Sequence, residues 1–197
     1  MGRFVLRCVA WLPVTFALWY FVAPVLLAPA VWLAQGVCAL AVPDLVRGVA
    51  QSGTTVTFVT SLGVGQVARL DAGQAAARGV VTVDVNLLLY SFGLPLYAAL
   101  TLASRNLRWK RLLVLGYAVL LPFVTWGLVA EFLKNLAITS GAAIASQAGF
   151  SSWQREAIAL AYQLGALILP AVVPVVLWVA TQVKPWTDDA LARSART

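Results

Sequence analysis

The stretch CVAWLPVTFALWYFVAPVLLAPAVWLAQGVCALAVP, residues 8–43, contains no charged side chain. A helix needs about 20 apolar residues to cross a bilayer, so this run is longer than a single span requires. Pro24 and Pro29 are expected to kink or end the helix, because proline removes a helical hydrogen bond. We therefore predict a first span from residue 8 to residue 27, followed by an apolar interfacial segment that ends at residue 34.

The composition of the whole chain agrees with a membrane protein. Hydrophobic residues make up 61% of the 197 residues and charged residues 11%, whereas soluble domains carry about 25% charged residues. This length predicts a single membrane domain, residues 1–197. The chain has no histidine, which excludes a Ser-His-Asp triad and any histidine-ligated metal within it. Cys8 and Cys38 are too few for a zinc site and, on a helix, too far apart for a disulfide, so we predict no cofactor.

Three further apolar stretches follow the first span, and the predicted fold is mainly α with about four transmembrane helices. Prolines inside these stretches are compatible with membrane helices, where neighbouring groups satisfy the freed carbonyls. The predicted segments are an exoplasmic insert at 44–86, spans at 87–104, 112–130 and 157–182, an exoplasmic helical segment at 131–156 and a cytoplasmic tail at 183–197.

The formal net charge of +7 is explained by membrane topology. Lysine and arginine are enriched in cytoplasmic loops, and most of the 14 basic residues here fall on one side of the predicted spans. We therefore place both termini in the cytoplasm, interpret the N-terminal segment as an uncleaved anchor, and expect the bilayer, not nucleic acid, as the charged partner. The topology determinants are Arg3, Arg7, Arg105, Arg108, Lys110 and Arg111.

The insert between the first and second spans is expected to contain β-structure. Residues 54–60 and 80–85 are rich in β-branched side chains and partly alternate, which is typical of strands. Residues 66–70 are a possible third strand, so the insert is predicted to be a β-hairpin or a three-stranded sheet. This sheet either caps the helices or receives an extended peptide along its edge.

The second exoplasmic segment carries two local signals. Gly141, Ala145 and Gly149 recur every four residues, which on a helix would form a smooth stripe for close packing of another helix. Ser151 and Gln154 fit a capping box at the start of the fourth span.

Four polar residues are expected near the outer leaflet, where they could meet in one pocket: Asn86, Tyr90, Tyr162 and Gln163. Hydrogen bonding between helices explains such residues, and a peptide-facing site is the alternative. Glu131 and Lys134 have the spacing of a helical ion pair and are expected at the water interface.

Several phrases spread over the chain resemble the exosortase H-associated membrane proteins. They are WLP at 11–13 with LWY at 18–20, VDVN at 83–86 with LLY at 88–90 and GLP at 93–95, and FSSWQREA at 150–157 with AYQLG at 161–165. Exosortases are polytopic bacterial enzymes that use cysteine, arginine and histidine to process sorting signals, and this chain lacks the histidine.

The resemblance implies a non-catalytic accessory protein of the bacterial inner membrane. Its expected partner is an exosortase-like membrane protein or a sorted substrate, and no catalytic residue is transferred from the family. Trp153 and Arg155, within the phrase at 150–157, join Asn86, Tyr90, Tyr162 and Gln163 as candidate contact residues. The alternatives are a subunit of a transporter or channel, although no ionisable residue lies well inside a predicted span, and a membrane enzyme that uses Cys38.

Overall fold

A computed structural model describes residues 2–63 and 80–194, with side chains for residues 2–62 and 81–182. The possible strand at 66–70 lies outside the described residues. The helices are α1 (Gly2–Leu26), α2 (Ala28–Ala41), α3 (Leu88–Ser91), α4 (Gly93–Ala103), α5 (Trp109–Lys134), α6 (Ala142–Ala148), α7 (Ser152–Gln163) and α8 (Leu169–Ser194), and two π-helical segments are π1 (Asn135–Thr139) and π2 (Leu164–Ile168).

The uncharged stretch at 8–43 forms two helices instead of one. Helix α1 ends at Leu26 and α2 begins at Ala28, with Pro29 in the first turn of α2. Proline suits the first helical turn, where its missing N–H would have no partner, and Pro29 has no N–H to donate to the carbonyl of Val25 in α1. Pro13 and Pro24 lie inside α1 and do not end it. The predicted interruption between Pro24 and Pro29 is therefore confirmed.

Three continuous helical stretches are long and apolar enough to cross a membrane: Gly2–Leu26, Trp109–Thr139 and Ser152–Gln182. The region of the predicted second span, 87–104, is instead a pair of shorter helices, α3 and α4, separated at Phe92. Pro95 explains the break, because it has no N–H to donate to the carbonyl of Ser91. The chain is thus a mainly helical membrane protein with long and short apolar helices.

A three-stranded antiparallel sheet lies between α2 and α3 in the chain. Its strands are β1 (Val46–Ser52), β2 (Thr55–Gly63) and β3 (Val80–Asn86), in the order β1-β2-β3. Ser52 pairs with Thr55, so β1 and β2 are joined by a two-residue turn in which Gly53 has a φ of +60°. The two strands predicted from β-branched residues are confirmed, whereas β1 was not predicted.

One face of the sheet packs on the ends of the helices. Val56, Phe58 and Thr60 of β2 are fully buried, and the valines at alternate positions of β3 are also buried. The ring of Phe58 stacks on Phe132 of α5 with 4.5 Å between centroids. This alternation fixes the register of the sheet, because a shift by one residue would expose the whole apolar set.

The segment between α5 and α7 differs from the prediction in one respect and agrees in another. Gly141 and Gly149 flank the short helix α6, with φ angles of +91° and +70°, so the expected small-residue stripe on one helix is wrong. Both glycines have positive φ angles, a backbone conformation that other residues rarely adopt. The capping box is confirmed: Ser151 N donates to Gln154 Oε1 at 2.8 Å, and Gln154 N donates to Ser151 Oγ at 3.4 Å.

Candidate functional site

A polar cluster centred on Glu131 lies where α5 approaches the sheet. Tyr90 OH donates to Glu131 Oε2, and Lys134 Nζ lies 3.0 Å from Glu131 Oε1. Asn135 Nδ2 donates to the same Oε1 at 3.0 Å. Both oxygens of the carboxylate therefore have donors from the chain itself, which is the arrangement that a largely buried charge requires.

Lys134 connects this cluster to α7. Its Nζ lies 4.1 Å from the centroid of the Tyr162 ring, within the range of a cation–π interaction. Residues from α3, α5 and α7 are thus held together around one carboxylate and one ammonium. We call these five residues the Glu131 cluster: Tyr90, Glu131, Lys134, Asn135 and Tyr162.

Glycines on α5 and π2 allow the aromatic side chain and the helices to approach closely. A Cβ atom on Gly127 would lie 2.3 Å from Cδ1 of Tyr90, so only glycine accommodates the ring at this place. A Cβ on Gly165 would lie 3.1 Å from Cα of Gly127. The Tyr90 side chain, which is 2% exposed, is therefore fixed by packing on one side and by Glu131 on the other.

Both π-helical segments are adjacent to the Glu131 cluster. π1 begins at Asn135, a member of the cluster, and π2 begins two residues after Tyr162. Such segments are rare and frequently occur at functional sites, where the extra residue per turn reorients side chains. Their position supports the choice of this end of the molecule as the candidate site.

The structure links two of the four polar residues that the sequence placed near one another. Tyr90 and Tyr162 are connected through Glu131 and Lys134. Asn86 is exposed, and its Oδ1 accepts from the backbone N of Leu88 at 2.9 Å, so its side chain holds the turn from β3 into α3. Gln163 is exposed and forms no side-chain hydrogen bond within the described residues.

Trp153 and Arg155 lie on the first turn of α7, Trp153 between the two capping-box residues and Arg155 directly after Gln154. The Trp153 side chain is 69% exposed, and Arg155 is also exposed. Neither residue belongs to the Glu131 cluster, but α7 connects them to it through Tyr162. They form an accessible surface on a helix whose start is fixed by Ser151 and Gln154.

The central residues of the site were only partly anticipated. The ion pair of Glu131 with Lys134 is confirmed, but the two side chains are 17% and 20% exposed instead of solvated. The signal was the spacing of Glu131, Lys134 and Asn135 at i, i+3 and i+4, which places all three on one helix face. The contact with Tyr90 joins residues 41 positions apart and has no local signature.

Packing engages both Cys38, on which the alternative of a membrane enzyme depends, and Thr125, a polar residue within the third predicted span. Cys38 is fully buried in the apolar core, and both cysteines are free. Thr125 Oγ1 donates to carbonyls of its own helix and of Ala30, and it borders a cavity of about 380 Å³ with apolar walls. Within residues 2–62 and 81–182, no group of histidine, cysteine, aspartate and glutamate side chains could hold a metal ion.

Comparison with known proteins gives one match. The model of a protein family described as exosortase H-associated membrane protein matches residues 1–184. No curated protein and no solved structure matches the chain. The matched region includes the sheet, the Glu131 cluster and α7.

Proposed function

The chain belongs to the exosortase H-associated membrane proteins, and we propose that it is a non-catalytic accessory subunit of a bacterial exosortase-type sorting system. In this proposal it spans the inner membrane with both termini in the cytoplasm. The end that carries the sheet and the Glu131 cluster then lies at the outer leaflet, where it binds the enzyme or its substrate. The observation that carries the proposal is the family match over residues 1–184.

The chemistry of the Glu131 cluster supports a structural role over a catalytic one. A general base needs a free lone pair directed at the substrate, but donors of this chain occupy three of the about four lone-pair sites of the Glu131 carboxylate. A cysteine nucleophile needs access and an activating base, whereas Cys38 is fully buried and the chain has no histidine. The cluster is therefore suited to hold α3, α5 and α7 in one fixed arrangement.

The start of α7 is the surface that we propose for the partner. Tryptophan and arginine are the residues most enriched among those that dominate binding energy at protein interfaces. Trp153 and Arg155 are both exposed on the first turn of α7. At i and i+2 they point to different sides of the helix, so a partner that contacts both would enclose the helix start. The capping box and the contact of Lys134 with the Tyr162 ring already fix α7. Little conformational entropy would therefore be lost when a partner binds.

Co-purification with an exosortase from the same genome tests this proposal. The two proteins are co-expressed, extracted in a mild detergent and recovered through a tag on the accessory chain. The variant Trp153→Ala is compared with Trp32→Ala on α2, because the two tryptophans are almost equally exposed, at 69% and 71%. We expect Trp153→Ala to lower enzyme recovery at least about tenfold, as for an interface residue worth more than 1.4 kcal/mol.

Two outcomes would overturn the proposal. The first is recovery of the wild-type chain without the enzyme and without any of its sorted substrates. The second is normal processing of sorted proteins in cells from which the gene has been deleted. If Trp153→Ala and Trp32→Ala lower enzyme recovery equally, α7 is rejected as the contact surface, because both changes remove an exposed indole from a helix.

A further inference from the structure

A groove between α1, α4 and α5 has a volume of about 350 Å³ and almost wholly apolar walls. It opens beside Leu18 and Val114, whose side chains are 64% and 69% exposed. Exposed apolar side chains on a membrane helix face lipid, so the groove opens sideways into the hydrocarbon layer. Its walls include Trp19, Leu94, Tyr97, Leu102, Leu113 and Tyr117.

One end of this groove leads to the basic loop between α4 and α5. Leu102 and Leu113 line the groove, and the chain between them carries four cations. All four are exposed, and the one ion pair among the described side chains is that of Lys134 with Glu131. The four cations are Arg105, Arg108, Lys110 and Arg111.

The same loop presents apolar side chains between its cations. Leu107 is 99% exposed, and Trp109 is 39% exposed with Lys110 Nζ 5.5 Å from its ring centroid. A local hydrogen bond stabilises the turn at Asn106, where Oδ1 accepts from the backbone N of Arg108 at 2.9 Å. Exposed leucine and tryptophan next to cations are typical of a segment at the boundary of headgroups and acyl chains.

We propose that the groove and the loop together bind one anionic phospholipid, with an acyl chain in the groove and the headgroup on the loop cations. The charge of the loop is complementary to an anionic headgroup, and each cation near such a surface contributes about 1 kcal/mol, or about fivefold in affinity. Continuity between the apolar walls and the cations distinguishes this site from a general preference for acidic membranes.

The size of the groove favours an acyl chain over a helix from a partner. A helix with its side chains is about 11 Å wide, which gives a cross-section of about 95 Å². A volume of about 350 Å³ would therefore hold less than one helical turn, which rises 5.4 Å. A single hydrocarbon chain is thin enough to follow the groove between three helices.

Binding of the acyl chain in the groove is tested by a substitution that fills the groove. Ala98 lines it, so Ala98→Phe should occupy the space that the lipid needs. The matched control is Ala118→Phe, the same change at an exposed position of α5 outside the groove lining. Each purified chain is delipidated in mild detergent and titrated with dioleoylphosphatidylglycerol, and native mass spectrometry counts the bound lipid.

We expect wild type and Ala118→Phe to retain one phosphatidylglycerol and Ala98→Phe to retain at least about fivefold less. Melting temperatures of both variants verify folding. Equal retention by Ala98→Phe and Ala118→Phe would overturn the assignment of the groove. A second protein chain bound in place of lipid would also overturn it.

Binding of the headgroup by the loop cations is tested independently by substitutions that remove their charge. Arg108→Gln with Arg111→Gln should lower phosphatidylglycerol binding on the order of 30-fold, since two cations are removed. The control, Arg47→Gln, removes a cation from an exposed position outside the loop and should leave binding unchanged. Titration with dioleoylphosphatidylcholine should give weak binding to every variant. Equal affinity of the wild-type chain for both lipids would overturn the headgroup assignment.

Discussion

Replacement of Glu131 by glutamine should destabilise the protein by removing the one charge that three donors share. Tyr90, Lys134 and Asn135 all donate to this carboxylate. A hydrogen bond to a charged group contributes about 1.5–3 kcal/mol, and glutamine retains one acceptor oxygen of similar shape. Loss of one such bond, with Lys134 left largely buried and unpaired, predicts a loss of about 2–3 kcal/mol.

The assay uses the buried thiol of the chain itself. Cys38 is fully buried and free, whereas Cys8 is partly exposed. In a Cys8→Ser background, a thiol-reactive fluorogenic dye therefore reports unfolding through Cys38 alone. For a chain of this size, a loss of about 2–3 kcal/mol corresponds to a fall of about 4–12 °C in melting temperature.

Two controls separate this effect from a general loss of charge. Glu156→Gln removes an exposed carboxylate on α7 and should change stability by less than about 0.5 kcal/mol. The double variant Glu131→Gln with Lys134→Gln should lose less than the sum of the single losses, by about 1–2 kcal/mol, because the unpaired ammonium is gone. A Glu131→Gln protein as stable as Glu156→Gln, with additive single changes, would refute the reasoning.

Two further predictions concern packing and capping. Gly127→Ala should lower the free energy of unfolding by about 1–2 kcal/mol, because its Cβ would lie 2.3 Å from the Tyr90 ring. In the control Gly36→Ala the new Cβ has nothing within 4 Å, so this change should be neutral or stabilising. Equal melting temperatures of the two variants would contradict this prediction. Ser151→Ala should lower the free energy of unfolding by about 1 kcal/mol, because it removes the capping box with Gln154. The circular dichroism spectrum of this variant should show less helix. Unchanged stability and helicity would argue against the cap.

The parts of the fold that follow local rules could be predicted from the sequence. The break between α1 and α2 follows from the backbone chemistry of Pro29, whereas Pro24 lies inside α1. β2 and β3 follow from their β-branched residues. The capping box likewise lies within four residues. Each of these features is determined by side chains close together in the chain.

Features that depend on distant partners were not predictable in this way. β1 contains Arg47, Gly48 and Gln51 and shows little alternation, so its conformation is determined by pairing with β2. The glycine spacing around α6 indicated a packing stripe, but Gly141 and Gly149 are required by backbone angles at the helix ends. β1 depends on its tertiary partner, whereas Gly149 follows a local rule for helix ends, because a left-handed glycine commonly terminates a helix.

The same distinction applies to the Glu131 cluster. Its helical part, Glu131 with Lys134 and Asn135, has a recognisable spacing, and Tyr90 was noted as a polar residue near a span end. Their meeting depends on the absence of a side chain at Gly127, where the Tyr90 ring lies. A glycine within an apolar helix gives no indication of which ring will pack against it.

Photocrosslinking in cells tests the proposed docking surface most directly. A photoreactive amino acid is placed at position 153 on α7 or at position 32 on α2, two sites where the native tryptophans are similarly exposed, at 69% and 71%. We predict that position 153 crosslinks to the exosortase or to a sorted substrate and that position 32 does not. Equal crosslinking from both positions, or crosslinking from position 32 alone, would contradict the proposal that this protein engages the sorting system through α7.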